Sequence, residues 1–292
     1  MKIKVLLLLL AAGGCLNHAS AKVGMPHCFS DNMVLQADTV AQLWGRATPG
    51  AQVCVNCSWG EEAASTADAS GKWRVGVSTP APSYEAYTVT VTDGADNDAA
   101  TFSNVLAGEV WLASGQSNMD MPLRGYWHQP IEGAGDEITF STKLGRGIRF
   151  LNVPRKASDT PQEDIDAVWQ VSCPANTAEF SALAWFFARY LKDIIDCPVG
   201  IINSAYGGSK VEEWRDGCGL YNAMICPLVG YTARGIIWNQ GESNVGAHTS
   251  YPDLQKDMLM HWREMWHGPE MQFYYVELPG WDYGDAEGTN AA

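Results

Sequence analysis

The stretch Gly108 to Leu123 reads GEVWLASGQSNMDMPL, and the fold follows from its first half. Glu109 to Ser114 is a short apolar run closed at each end by a glycine, Gly108 and Gly115. Such a run suits a strand buried on both faces, as in a parallel sheet. GQSNM follows, so Ser117 stands where the strand must turn into the next element. Asp120 lies three residues on, and Ser117-x-x-Asp120 reads as the opening of a helix. A serine in that place is surrounded by the free N–H groups of a first turn, which suits a nucleophile beside which negative charge develops. The plainer reading is a serine that only caps the helix. Met119 stands where the second glycine of a G-x-S-x-G elbow would be, so the α/β-hydrolase elbow is excluded.

Downstream of this stretch the hydrophobic period is 3.6. Phe180, Leu183, Ala184, Phe187, Leu191 and Ile194 share one helical face, with Asn176 and Glu179 as the expected cap and Pro198 as the stop. Val199 to Asn203 is the next buried strand, and Gly235 to Asn239 a third. A second amphipathic helix carries Leu254, Met258, Trp262 and Met265, followed by a strand over Gln272 to Leu278. Strands alternating with helices build parallel β-α-β units, whose sites lie at the carboxyl ends of the strands. Three stretches fall there: Gly115-Gln116-Ser117-Asn118, Asn203-Ser204-Ala205-Tyr206-Gly207-Gly208-Ser209, and Trp238-Asn239-Gln240-Gly241-Glu242-Ser243-Asn244. Ser209-x-x-Glu212 reads as another capped helix start. A hydroxyl, a glycine turn with free N–H groups and a run of side-chain amides are what acyl transfer requires. Taken singly, the glycines read as a tight turn and the amides as a loop bonding its own backbone.

Upstream the period is two. Val40 to Trp44, Gln52 to Cys57, Lys72 to Val77 and Tyr87 to Thr92 read as strands between the turn clusters Thr48-Pro49-Gly50, Asp68-Ala69-Ser70-Gly71 and Asp93-Gly94. A small β-sandwich over residues 22–106 is expected, with the boundary near Asn104 to Ala107. It reads as a scaffold, with glycan binding as the other option.

Lys2 and Lys4, the apolar run Val5 to Ala12 and Ala19-Ser20-Ala21 predict a secretory leader over residues 1–21, too short for a membrane span. A second option is a lipoprotein anchored through Cys15. Either makes the chain exported, periplasmic or secreted. The chain carries 33 acidic and 19 basic residues, net −14, and loss of the leader removes two lysines and no acid. No basic run suits nucleic acid or an anionic membrane. Beyond the leader the cysteines are Cys28, Cys54, Cys57, Cys173, Cys197, Cys218 and Cys226. Seven is odd, so at least one is free or pairs between molecules. Cys54-x-x-Cys57 has a redox or zinc spacing, but no second pair accompanies it, and no metal or other cofactor is expected.

GEVWLASGQSNMDMPL resembles the serine block of the sialate O-acetylesterases, a branch of the SGNH (GDSL-like) carbohydrate esterases. DNMVLQ (Asp31 to Gln36), WGRATPG (Trp44 to Gly50) and GKWRV (Gly71 to Val75) resemble that family's N-terminal domain. YGGSKVEEW, LYNAMICPL, RGIIWNQGESN, HWREMW and FYYVELPGW are similar to its later segments. The resemblance implies an α/β fold, an SGNH-type three-layer domain with a parallel sheet over residues 107–292. It implies Ser117 as nucleophile, with Ser117, Gly208 and Gln240 in the oxyanion hole. Gln116, Asn118, Asn239 and Glu242 would line the site or meet substrate. The implied partner is an O-acetylated sialic acid or another acetylated glycan. Acetylxylan esterase or general carbohydrate acetylesterase activity, and an inactive glycan-binding fragment, stay open; oligomeric state is not legible. Tyr206 and Asn239 depart from the family, where tryptophan and tyrosine are expected.

The family's general base is a histidine in an Asp-x-x-His segment well beyond LPGW. No Asp-x-x-His occurs after Ser117, and the last histidine is His267. His248, in the loop after the third block, is the first stand-in to consider; His128, His261 and His267 are the others. The tail Gly284 to Ala292 is small and polar. The expectation is a chain truncated before its base, with little activity of its own, because loss of a base costs on the order of 10⁴ in rate.

Overall fold

A computed structural model describes residues 23–93, 99–268 and 270–280. The leader, Cys15, Gly94 and the polar tail lie outside these residues.

Seven strands come first: β1 (Val34–Gln36), β2 (Val40–Arg46), β3 (Gln52–Cys57), β4 (Glu62–Thr66), β5 (Lys72–Ser78), β6 (Ser83–Thr92) and β7 (Ala100–Gly115). β2 pairs antiparallel with β5 as one sheet, and β4-β3-β6-β7 forms the other. Alternate residues point inward: Ala41 and Leu43 on β2, and Val53, Val55 and Cys57 on β3, are buried. This is the expected sandwich.

The expected boundary falls inside a strand. β7 runs sixteen residues without interruption. Its first part pairs antiparallel with β6, where Val105 faces Tyr87. Its second part pairs parallel with two later strands, β10 (Val199–Ala205) and β11 (Gly235–Asn239). The strand passes Asn104 as a β-bulge: Phe102 pairs with Val89 and Val105 with Tyr87, one residue more on β7 than on β6, and Asn104 takes φ +53°. β1 pairs parallel with Leu106 to Gly108 at the junction. The Tyr231 hydroxyl donates to the Val34 carbonyl at 2.9 Å and the Trp169 Nε1–H to the Cys28 carbonyl at 2.8 Å, both buried.

After β7 come α1 (Ser117–Asp120), α2 (Ala134–Thr139), α3 (Ser141–Leu144), β8 (Ile148–Asn152), β9 (Gln170–Val171), α4 (Pro174–Ala178) and α5 (Ala182–Ile195). Beyond β10 and β11 lie α6 (Tyr251–Met265) and β12 (Gln272–Tyr275). The parallel part of the sheet runs β8-β10-β7-β11-β12. Every residue of β10 and β11 is buried, as a strand covered on both faces requires. One face packs Trp111, Ala113, Ile201 and Ile237 against Ala184, Trp185 and Ala188 of α5. The other packs Leu112, Ile202, Ile236 and Trp238 with Met258 and Trp262 of α6, and its core continues into the sandwich. Helix, sheet and helix are the three layers.

Local details differ from the sequence reading. The cap of α5 is Ser181, whose Oγ accepts from the Ala184 N–H at 3.1 Å. Asn176 lies inside α4 instead, because Pro174 starts a separate turn there. The buried face of α5 centres on Trp185, and Ile194 is exposed. β12 stops at Tyr275, short of Leu278. All seven cysteines carry free thiols.

An ion-pair cluster ties the two units. Glu163 accepts from Arg46 of β2 at 2.5 Å and from Lys72 of β5 at 2.8 Å, and these contacts hold its carboxyl down at about 2. A depressed carboxyl stabilises the fold above its unfolded value near 4.5 and ceases to as pH falls toward 2. The group is well exposed, so solvent screening leaves less than about 1 kcal/mol. Glu163→Gln is expected to lower the urea midpoint slightly at pH 7, by an amount that shrinks below pH 4.5. A difference from wild type that grows on acidification would contradict this.

Candidate active site

The register of three strands sets the site. Gly115 of β7 pairs with Ala205 of β10 on one side and with Asn239 of β11 on the other. All three strands therefore end at one level, and their loops emerge side by side. The ladder continues one step further: Tyr206 N–H donates to the Gly115 carbonyl at 3.0 Å, and Gln116 N–H to the Asn239 carbonyl at 2.9 Å. The chain passes from β10 to β11 across β7, so connections diverge on its two sides, which opens a crevice at such a strand end.

Ser117 is the first residue of α1 and does not cap it. The N-cap is Gln116, and no side chain makes the capping bond. Among the described residues the Ser117 hydroxyl has no hydrogen-bond partner, and the side chain is partly exposed. As the first residue of the helix it also has an N–H without an intrahelical acceptor. The capping explanation for this serine therefore fails.

The second loop turns tightly beside it. Ser209 N–H donates to the Tyr206 carbonyl at 3.2 Å, closing a turn in which Gly208 has φ +77°. That geometry is a type II turn, whose third position favours glycine. A Cβ added at Gly207 would stand 3.7 Å from Ser117 Cβ, an ordinary van der Waals contact, so the turn lies directly beside the serine. A Cβ at Gly208 would meet nothing within 4 Å, so this glycine faces open space. The Gly208 carbonyl accepts from Ser243 Oγ at 3.0 Å, which ties the second loop to the third. Ser209 does not cap a helix through Glu212. The short 3-10 turn Val211–Trp214 has Lys210 at its cap, and Glu213 accepts from the Lys210 N–H at 2.7 Å.

A buried amide network braces the three loops. Gln116 is 3% exposed, and its Oε1 accepts from Gln240 Nε2 at 3.1 Å, Gly241 N–H at 3.3 Å and Ser243 N–H at 3.2 Å. Gln240 Nε2 also reaches the Ser209 carbonyl at 3.0 Å and Asn244 Oδ1 at 2.8 Å. Asn244 in turn donates to Glu212 at 2.8 Å. The donors of Gln240 are thus engaged within the protein, and in this arrangement Gln240 is a brace rather than a free donor. Asn118 donates to one carboxylate oxygen of Glu242. The other oxygen of Glu242 is buried and has no partner among the described residues, like Oδ1 of Asn239 and Oε1 of Gln240. Unpaired buried polar atoms are rare in folded proteins, and here three lie in one loop.

Gln116→Met keeps the volume and removes the acceptor from three donors. The expected loss is about 2–3 kcal/mol, read as a fall in the denaturant midpoint. A midpoint like that of wild type would mean that the network does not brace the loops.

The family model described as carbohydrate esterase, sialic acid-specific acetylesterase, matches residues 107–290. The chain belongs to that family. A bacterial Ig domain model matches residues 26–107. The sialate O-acetylesterase of Homo sapiens is 31% identical over 284 residues, covering 82% of this chain and 52% of the relative. That of Mus musculus is 28% identical, covering 89% and 62%. The crystal structure of a carbohydrate acetylesterase from Xanthomonas citri is similar with a TM-score of 0.81 and 31% identity, covering 88% of this chain and 60% of that one. The chain spans about half the length of the human relative it matches.

Within this acetylesterase family fold, none of the four histidines considered as base bonds to Ser117. His248 is exposed, and its Nδ1 lies 3.1 Å from the Val245 carbonyl. His261, on α6, lies with its Nε2 3.0 Å from the Tyr221 hydroxyl. His128 and His267 are exposed at turns with positive φ. Two residues beside the serine were not singled out from sequence. In sequence Asp120 reads only as a helix opener, and Arg155 sits in an irregular loop with no pattern to mark it. Asp120 is largely buried and pairs with Arg155 at 3.2 Å.

Proposed function

We propose that the chain is a serine carbohydrate esterase that removes O-acetyl groups from sialic acids through an acetyl–Ser117 intermediate. The uncapped Ser117 hydroxyl, at the switch-point end of β7 against the Gly207-Gly208 turn, carries this reading. Ser117 Oγ attacks the acetyl carbonyl, and its proton passes to a base. The N–H groups of Ser117 and Gly208 hold the oxyanion, the sugar oxygen leaves with the proton, and water then releases acetate. Gln116 and Gln240 fix the loops that present these donors. Asn118 positions Glu242, which keeps one carboxylate oxygen for a donor arriving with the substrate or the base. No step requires a metal or cofactor. The leader supports export to the periplasm or beyond.

Activity on other acetylated carbohydrates is the second reading, favoured by the similarity to the Xanthomonas citri carbohydrate acetylesterase. Acetate release from O-acetylated sialic acid and from acetylated xylan, measured side by side, tests both. Faster release from the sialic acid is expected. Release only from xylan would transfer the assignment, and binding of either without release would make this chain a glycan-binding protein.

A further inference from the structure

We propose that Arg155 reads a carboxylate on the acetylated sugar, and so makes the site selective for acidic sugars over neutral ones. The inference deepens the esterase reading and rests on it for the place of the sugar.

Asp120 stands one helical turn from Ser117, so both project from the same side of α1. A Cβ built at Gly207 would lie 3.7 Å from Ser117 Cβ and 3.9 Å from Asp120 Oδ2, so a single glycine borders the serine and the carboxylate together. Asp120 Oδ2 holds Arg155 Nη1 at 3.2 Å. The exposures of the pair are unequal: the Asp120 side chain is 8% exposed and that of Arg155 61%. The carboxylate is the anchor, and the guanidinium is the part offered to solvent at the edge of the crevice.

Burial pushes the Asp120 carboxyl up, while Arg155 and the Tyr126 hydroxyl counter it. A desolvated carboxylate beside an acyl site is costly unless it holds something in place, and what it holds is Arg155. Arginine carries five N–H donors in a planar fork suited to a second carboxylate, and among the described residues Asp120 is its one ion-pair partner. Arg124 differs in that Glu179, on its Nε, neutralises it outside the serine–Asp120 corner, and its Nη1 donates to the Gly125 carbonyl.

Charge gives the inference its weight. With 33 acidic residues against 19 basic, the surface as a whole disfavours an anionic ligand. An acidic sugar therefore needs a local cation in the crevice, and a neutral sugar does not.

The test uses binding to the full chain and requires no turnover. N-acetylneuraminic acid and its methyl ester differ in the carboxylate charge and by one methyl group. Calorimetric titration of wild type is expected to show at least about tenfold tighter binding of the acid. In Arg155→Gln that preference should fall to near unity. Because this variant leaves Asp120 buried without its cation, the double variant Asp120→Asn/Arg155→Gln is titrated too, and it should show the same loss. Equal binding of acid and ester by wild type, absence of binding by both, or a preference that survives in the variants overturns the proposal. Acetate release from an aryl acetate by wild type is measured separately. A chain that prefers the acid through Arg155 and releases no acetate refutes the esterase reading alone, whereas release without an Arg155-dependent preference refutes this inference alone.

Discussion

Ser117→Ala is expected to remove the acetate release that this chain supports from an aryl acetate, down to the level left by oxyanion donors and binding; the fall is smaller than the factor of about 10⁴ that a base-assisted serine loses, because no described histidine bonds to Ser117. The loss follows from the site's design. Gly208 faces open space and Ser117 Oγ is unengaged, whereas the neighbouring Ser243 hydroxyl is tied to the Gly208 carbonyl. The substitution should leave the fold intact, because the hydroxyl caps no helix and bonds to no described residue. Thermal melting of the variant within about 1 °C of wild type would separate loss of chemistry from loss of structure. Turnover that survives in the alanine variant would remove Ser117 from the mechanism. It would turn attention to Asp120 and Glu242, the carboxylates around it.

The second large effect is structural. Gly115→Ala should destabilise the chain by about 3–5 kcal/mol, or some 10 °C in melting temperature. Gly115 has φ +139°, and an added Cβ would meet the Asn239 carbonyl oxygen at 2.0 Å and its carbon at 2.6 Å. These are backbone atoms of β11, held in register with Gly115 and by the Gln116 N–H, so they cannot swing aside. Relief would have to come from parting β7 and β11 at the level where the three loops leave the sheet. Esterase activity should therefore fall further than stability alone explains. A variant that melts within 2 °C of wild type would show that the two strands have room to separate.

Most of the framework was legible because it rests on local pattern. A buried run flanked by glycines, GEVWLASG, announced the central strand, and the change from period two to period 3.6 announced two kinds of layer. β4 was missed because Glu62-Ala63-Ala64-Ser65-Thr66 has weak strand propensity and exists through pairing with β3. No residue in the pattern says that one strand serves two sheets. Of the candidate site, Ser117, Gly208 and the amide loop were legible from motif spacing and strand ends. Whether an amide is a free donor or a brace depends on partners far along the chain, as Gln116 and Gln240 show across 124 positions. Arg155 was invisible for the same reason, since only the fold brings its loop to Asp120.

The uninterrupted β7 has a mechanical consequence. Two bodies that share the middle of a strand have no hinge between them: rotating one against the other would break the ladder to β6 or the ladders to β10 and β11. The mouth above Ser117 cannot widen by rocking of the sandwich, so entry and exit of any ligand fall to movements of the three loops. Heat should melt the two bodies in one cooperative step, and cutting the chain at the sequence boundary near residue 107 would leave neither half with a finished edge.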